Sequence, residues 1–106
     1  YSHDAEANFY LVTVIKGTKP DMNQEKSPID KKSALAMLEK SIEAVKEAAS
    51  KLTEEDLNKE VDAFGMKFSL RNFMITILNH NHEHLGQSIA YARMNGVVPP
   101  WSMKGE

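Results

Sequence analysis

Residues 79–87 read NHNHEHLGQ and hold His80, His82 and His84, three of the four histidines in the chain. Histidine at every second position would place all three on one side of a strand. The flanks argue otherwise: LRNFMITIL (70–78) and GQSIAYARMNG (86–96) carry the length and periodicity of a helix. The spacing predicts a helix from about Leu70 to Asn95, capped by Ser69, ended by Gly96 and stopped by Pro99 and Pro100. At about 100° per residue, His80 and His84 lie one above the other on the line of Phe73, Ile77, Ser88 and Tyr91, while His82 points to the far side. A second apolar stripe, Met74, Leu78, Leu85, Ile89 and Ala92, predicts packing on two sides.

Working outward, residues 2 to about 17 form a second helix candidate, closed by Gly17 and Pro20. His3, Ala7, Tyr10 and Val14 share one of its faces. The run LVTVI is also compatible with a strand, but the polar start SHDAEAN and the length favour a helix. After a polar connection, Ser27-Pro28-Ile29-Asp30 reads as a helix start with Ser27 as cap and Pro28 at the first helical position. The stripe Leu35, Leu38, Ile42, Val45, Ala49 and Leu52 then alternates spacings of three and four. Thr53 to Asp56 is a cap-like start for one short turn. The following KEVDAFGMKFS reads as an irregular or hairpin-like link around Gly65, with no real sheet expected. The expectation is a single all-α domain over residues 1–106 with three long helices.

Composition agrees. A chain of 106 residues, 42% hydrophobic and 26% charged, suits one soluble globular domain. Its net charge of -2 comes from interspersed Lys and Glu, with no basic block to neutralise phosphates, so nucleic acid is not an expected partner. There is no cysteine, which excludes disulfides, thiolate metal sites and a cysteine nucleophile. No apolar run approaches the roughly 20 residues of a membrane span, and no signal peptide is visible, so neither a membrane nor export is expected and the cytoplasm is the expected compartment.

Neutral imidazole is a common ligand of zinc, nickel, iron and copper, and an i, i+4 pair on a helix presents two nitrogens that one ion can bridge. A third ligand must come from another element, and His3 is the only other histidine. Three His ligands would leave an open position, the pattern of a catalytic site. The plainer reading is a set of hydrogen-bonded core histidines. His82 and Glu83 read as a solvated or subunit-facing patch, Tyr10 and Tyr91 as core aromatics, and Met66, Met74 and Met94 as packing residues.

The stretch HNHEHLGQSIAYARMNGVVPPWS (80–102) resembles the C-terminal signature of the DinB-like superfamily of bacterial metal-dependent enzymes, through His80, His84, Gly86, Gln87, Tyr91, Arg93, Gly96, Pro99 and Pro100. The start HDAEANFYLVTVIKGTKP looks like that family's second helix, whose histidine is a metal ligand. The resemblance implies a four-helix-bundle fold with a divalent metal ion, zinc or nickel, on His3, His80 and His84. It also implies a thiol-dependent S-transferase or hydrolase that acts on a small-molecule substrate, with a low-molecular-weight thiol or water as nucleophile. Gln87 and Arg93 would then support the site and anchor the helix end. No catalytic or cofactor-binding side chain is assignable. The family's first helix has no counterpart before His3, and whether it is removed, left out or exchanged between subunits stays open; a homodimer is the expected consequence. The alternatives are a non-catalytic metal-binding protein and a helical protein-interaction module.

Overall fold

The computed structural model describes residues 1–19 and 22–102. It contains three long helices, α1 (Ser2–Lys16), α2 (Lys31–Ser50) and α4 (Leu70–Met94), and a short helix α3 (Glu54–Asn58). Two strands, β1 (Glu60–Ala63) and β2 (Met66–Ser69), pair antiparallel between α3 and α4. No helix is long and apolar enough to cross a membrane among these residues.

Local chemistry sets the ends of the elements. Gly17, at φ 70°, closes α1 and donates to the carbonyls of Thr13 and Val14. Pro20, expected to share that role, lies outside the described residues. The start of α2 corrects the expected cap: Asp30, not Ser27, accepts from the Ser33 backbone N–H at 2.7 Å, and the Ser33 hydroxyl returns to the Asp30 N–H. Ser27 instead donates to the carbonyl of Gln24, closing the 3-10 turn Gln24–Lys26. Both Ser27 and Asp30 are competent caps; Ser27 is engaged by the Gln24 turn, and Asp30 with Ser33 forms the capping box. The same reciprocal arrangement joins Thr53 and Asp56 at α3, and Ser69 caps α4.

The two capping carboxylates give a pH prediction. The Ser33 backbone N–H, and then its hydroxyl, hold the Asp30 carboxyl below its ordinary pKa. For Asp56 the cause is first the Thr53 backbone N–H, then the Lys59 ammonium and the Thr53 hydroxyl. A pKa lower in the folded than in the unfolded chain gives stability that is fully present above the ordinary aspartate value and lost as pH falls through the lowered one. NMR titration is expected to find both midpoints below those of exposed aspartates, and Asp30→Ala with Asp56→Ala is expected to shallow the acid limb of the stability profile.

The hairpin-like link is a tight hairpin, and its two strands form a small two-stranded sheet where no real sheet was expected. Ala63 pairs with Met66, and the two loop residues Phe64 (φ 52°) and Gly65 (φ 75°) both adopt the left-handed conformation of a type I′ turn. Asn-Gly is the usual sequence for such a turn, which is why Phe-Gly gave a weak signal. The strain of an aromatic residue at positive φ is offset by Tyr10, whose ring stacks on Phe64 at 4.5 Å and whose hydroxyl accepts the Phe64 N–H at 3.1 Å.

The centre of the molecule is α1. Asn8 meets Ser41, and Ile15 lines one hollow with Ala48 and Leu52, so α2 runs parallel to α1. Tyr10 meets Phe73, and His3 meets His80 and His84, so α4 runs antiparallel to it. The core of Leu11, Ala63, Phe73 and Ile77 is surrounded by Tyr10, Val14, Ile15, Val45, Phe68 and Met74. A polar chain crosses the helices beside it: Asn81 Nδ2 donates to Asn8 Oδ1 at 2.9 Å, Asn8 Nδ2 to Ser41 Oγ at 3.0 Å, and Ser41 Oγ to the Leu38 carbonyl at 2.7 Å. Asn8 and Ser41 are buried, and pairing removes the cost of placing them there.

That chain also explains a rotated face on α2. The buried positions are Ser41 and Ala48, whose small side chains let α2 approach α1, while Leu35 and Ile42 of the expected stripe are exposed. Both α2 and α4 pack on α1 and have little contact with each other. A groove is left between them, lined at one end by Leu38, Ile42, Leu78 and Leu85 together with His3, Asp4, His82 and His84, and at the other by Val45, Met74 and Ile75.

Tyr91 is a further correction. It is 66% exposed, as Met94 is at 81%, because α4, with 25 residues, outruns the 15-residue α1 and its last turns lie beyond the shared core. Met66, at the hairpin tip, is likewise exposed, and of the three methionines expected to pack, Met74 lies against the core. Arg93 does hold the helix end, its guanidinium donating to Ser102 Oγ at 3.1 Å across the chain reversal around buried Pro99.

Candidate metal centre

The antiparallel pairing of α1 and α4 sets the first turn of α1 against the middle of α4. His80 and His84, one turn apart on α4, project toward His3. The Nε2 atom of His80 lies 3.3 Å from that of His3 and 3.1 Å from that of His84. One ligand atom from each ring falls within 4.8 Å of the other two. His80 and His84 are half-buried and His3 is exposed, so the cluster sits at the surface with one side protected by the helices. His82 is exposed on another face of α4, as helical geometry requires.

Does this donor set suit a metal ion? Two nitrogens bound at 2.0–2.1 Å with a tetrahedral angle between them are about 3.3 Å apart, close to both separations in the cluster. Hydrogen bonding accounts for the cluster less well. An imidazole nitrogen carries one in-plane lone pair or one proton, so His80 Nε2 cannot be well paired with both neighbours. A cation between the three nitrogens uses all three lone pairs.

The other edge of His80 meets Asp4, the acidic residue of the first turn of α1. Asp4 Oδ1 lies 3.3 Å from His80 Nδ1, and both atoms are buried with no well-aligned hydrogen bond. A small rotation of either group satisfies both. A carboxylate there favours the tautomer with the proton on Nδ1, which leaves the Nε2 lone pair directed at the cluster. Sequence reasoning passed over Asp4, although its place next to His3 was the available signal. Asn8, one turn further along α1, and Asn81, next to His80, brace the same region through their part-buried hydrogen bond.

Asp4→Ala is expected to weaken metal binding by about 10–100-fold, the range for a carboxylate that orients a ligating histidine, and Asp4→Asn by less because its amide oxygen can still accept the proton. Zinc titration followed by calorimetry measures both.

The profile of the DinB family matches residues 2–104. The chain belongs to the DinB family. The match spans all three long helices, and with them the three histidines, so the cluster lies wholly inside the family domain of this DinB member. No curated protein and no solved structure matches the chain at a significant level.

Proposed function

We propose that this DinB family protein is a metal-dependent enzyme whose centre is the cluster of His3, His80 and His84. The convergence of three Nε2 atoms on one point carries the reading. His3, His80 and His84 would hold a zinc or nickel ion, which would supply Lewis acidity toward a thiol or water. The chain does the rest: the three imidazoles hold the ion, Asp4 sets the His80 tautomer, and exposure of the cluster beside His3 gives a small molecule access. The reaction class is transfer to a low-molecular-weight thiol, or hydrolysis. A reduced thiol cofactor fits the cytoplasm, where thiols are kept reduced.

The test is metal content of protein purified without a histidine tag, followed by turnover with a thiol and an electrophile. About one zinc or nickel per chain, with turnover lost in His80→Ala, is the expected result. Stoichiometric metal without turnover would favour a metal store or sensor, and protein that neither contains nor takes up metal would favour an interaction module.

The groove between α2 and α4 supports a further part of the reading, that the working species is a homodimer. Leu78 and Leu85, 52% and 56% exposed and two turns apart on one side of α4, would pack against the same residues of a second copy. Such a pairing is self-complementary, as a two-fold axis requires. Light scattering is expected to give a dimer that Leu78→Glu dissociates; a wild-type monomer at micromolar concentration would count against it.

A further inference from the structure

On the side of the histidine cluster away from the α2–α4 groove lies a second hollow, of about 160 Å³. Ala7, Tyr10, Phe64 and Ile77 form its walls, and the rings of His3 and His80 form the end nearest the cluster. We propose that this recess binds a compact, uncharged apolar group of the substrate, about the size of a benzene ring or a short branched alkyl chain. The inference rests on the reading of the histidine cluster as the reactive centre.

Size and surface carry it. The recess is open to solvent on one side, its lining is mostly apolar, and its volume is close to the roughly 150 Å³ that accommodates one benzene ring. Polar groups near this recess are already engaged. The Tyr10 hydroxyl accepts the Phe64 N–H, and Thr76 turns its hydroxyl back to the Asn72 carbonyl at 2.9 Å. Glu6 also lines the hollow, and its carboxylate disfavours an anion there.

The hairpin explains how the outer wall is held. Phe64 sits at a solvent-facing tip with φ 52°, a conformation that an aromatic residue seldom adopts. Stacking on Tyr10 at 4.5 Å and the hydrogen bond to its hydroxyl fix the ring at the outer edge of the recess. A less strained residue at this turn would leave the hollow open on that side. The turn thus makes Phe64 a specificity-determining residue at the outer edge of the recess, whose other end is formed by His3 and His80.

Fluorobenzene is the probe, titrated into the full chain with and without zinc and followed by fluorine and amide NMR. Saturable shifts at Ala7, Tyr10, Phe64 and Ile77 are expected. Thr76→Leu puts a larger apolar side chain at the exposed edge of the recess and should weaken binding by at least about tenfold. Ala7→Leu fills it from α1 and should do the same, with circular dichroism confirming that each variant is folded. Cobalt in place of zinc is expected to broaden the fluorine line, because the probe would lie next to the paramagnetic ion.

Absence of saturable binding, shifts confined to Leu38 and Leu78 in the groove, or unchanged affinity in folded Thr76→Leu would each overturn the proposal. Zinc binding is read separately from the ring resonances of His3, His80 and His84. Zinc bound with no fluorobenzene in the recess overturns the recess and leaves the metal centre standing. Fluorobenzene in the recess with no zinc bound upholds the recess and overturns the metal reading.

Discussion

Replacing Phe73 by alanine is expected to cost about 3–5 kcal/mol of folding stability. The ring is fully buried and is the largest side chain in the core. It touches three other aromatic rings, Tyr10 and Phe64 at 6.0 Å and Phe68 at 5.5 Å between centroids, so truncation leaves a cavity among rigid groups that cannot close it. A domain of this size has about 5–15 kcal/mol in all, so the variant should lose much of its cooperative melting. The hairpin should loosen with it, since Phe64 and Phe68 pack on the same ring. Chemical denaturation followed by circular dichroism measures the loss. A cost below about 1 kcal/mol would show that the site relaxes around the smaller residue and that Phe73 is not the keystone of α1, α4 and the hairpin.

The second large effect concerns the metal. His80→Ala is expected to reduce zinc or nickel affinity by more than about 100-fold, exceeding the loss for a residue that only orients a ligand. His80 is the middle of the cluster, 3.1 Å and 3.3 Å from its two neighbours, and its removal also takes away the group that faces the buried Oδ1 of Asp4. His3→Ala and His84→Ala should each cause a comparable loss, because two remaining ligands hold an ion mainly by water. His82→Ala should leave affinity unchanged. Calorimetric titration of apo protein decides among these. Equal affinity in wild type and His80→Ala would remove the site, whereas loss in His80→Ala and His84→Ala with none in His3→Ala would keep the pair and discard the third ligand.

Much of this arrangement was legible in one dimension because it depends on period and on local chemistry. The division of NHNHEH into His80 and His84 against His82 follows from 3.6 residues per turn and needs no partner. The ends of α4 at Ser69 and Gly96, and the short helix after Thr53, follow from capping side chains acting within three residues. Where two local signals competed, as Ser27 and Asp30 did, sequence order alone misplaced the start of α2 by a few residues.

The remainder was decided between elements. Leu35 and Ile42 belong to a regular apolar stripe, yet they are exposed, because the hydrogen bond from Asn8 to Ser41 draws the small-residue side of α2 onto α1. Nothing in the period of α2 records the partner of Ser41, which is 33 residues away. The Phe64-Gly65 turn needed Tyr10, 54 residues away, to hold an aromatic residue at positive φ. Asp4 could be paired with His80 only when α1 and α4 were known to be antiparallel, since Coulomb attraction and hydrogen bonding depend on a distance that sequence does not contain. The sequence by itself determined the helices, the caps of α3 and α4 and the candidate ligands, because these depend on neighbours within a turn. The tertiary structure alone decided that His3 reaches the pair on α4, which face of α2 is buried, and where the recess lies, because those depend on packing between segments far apart in the chain.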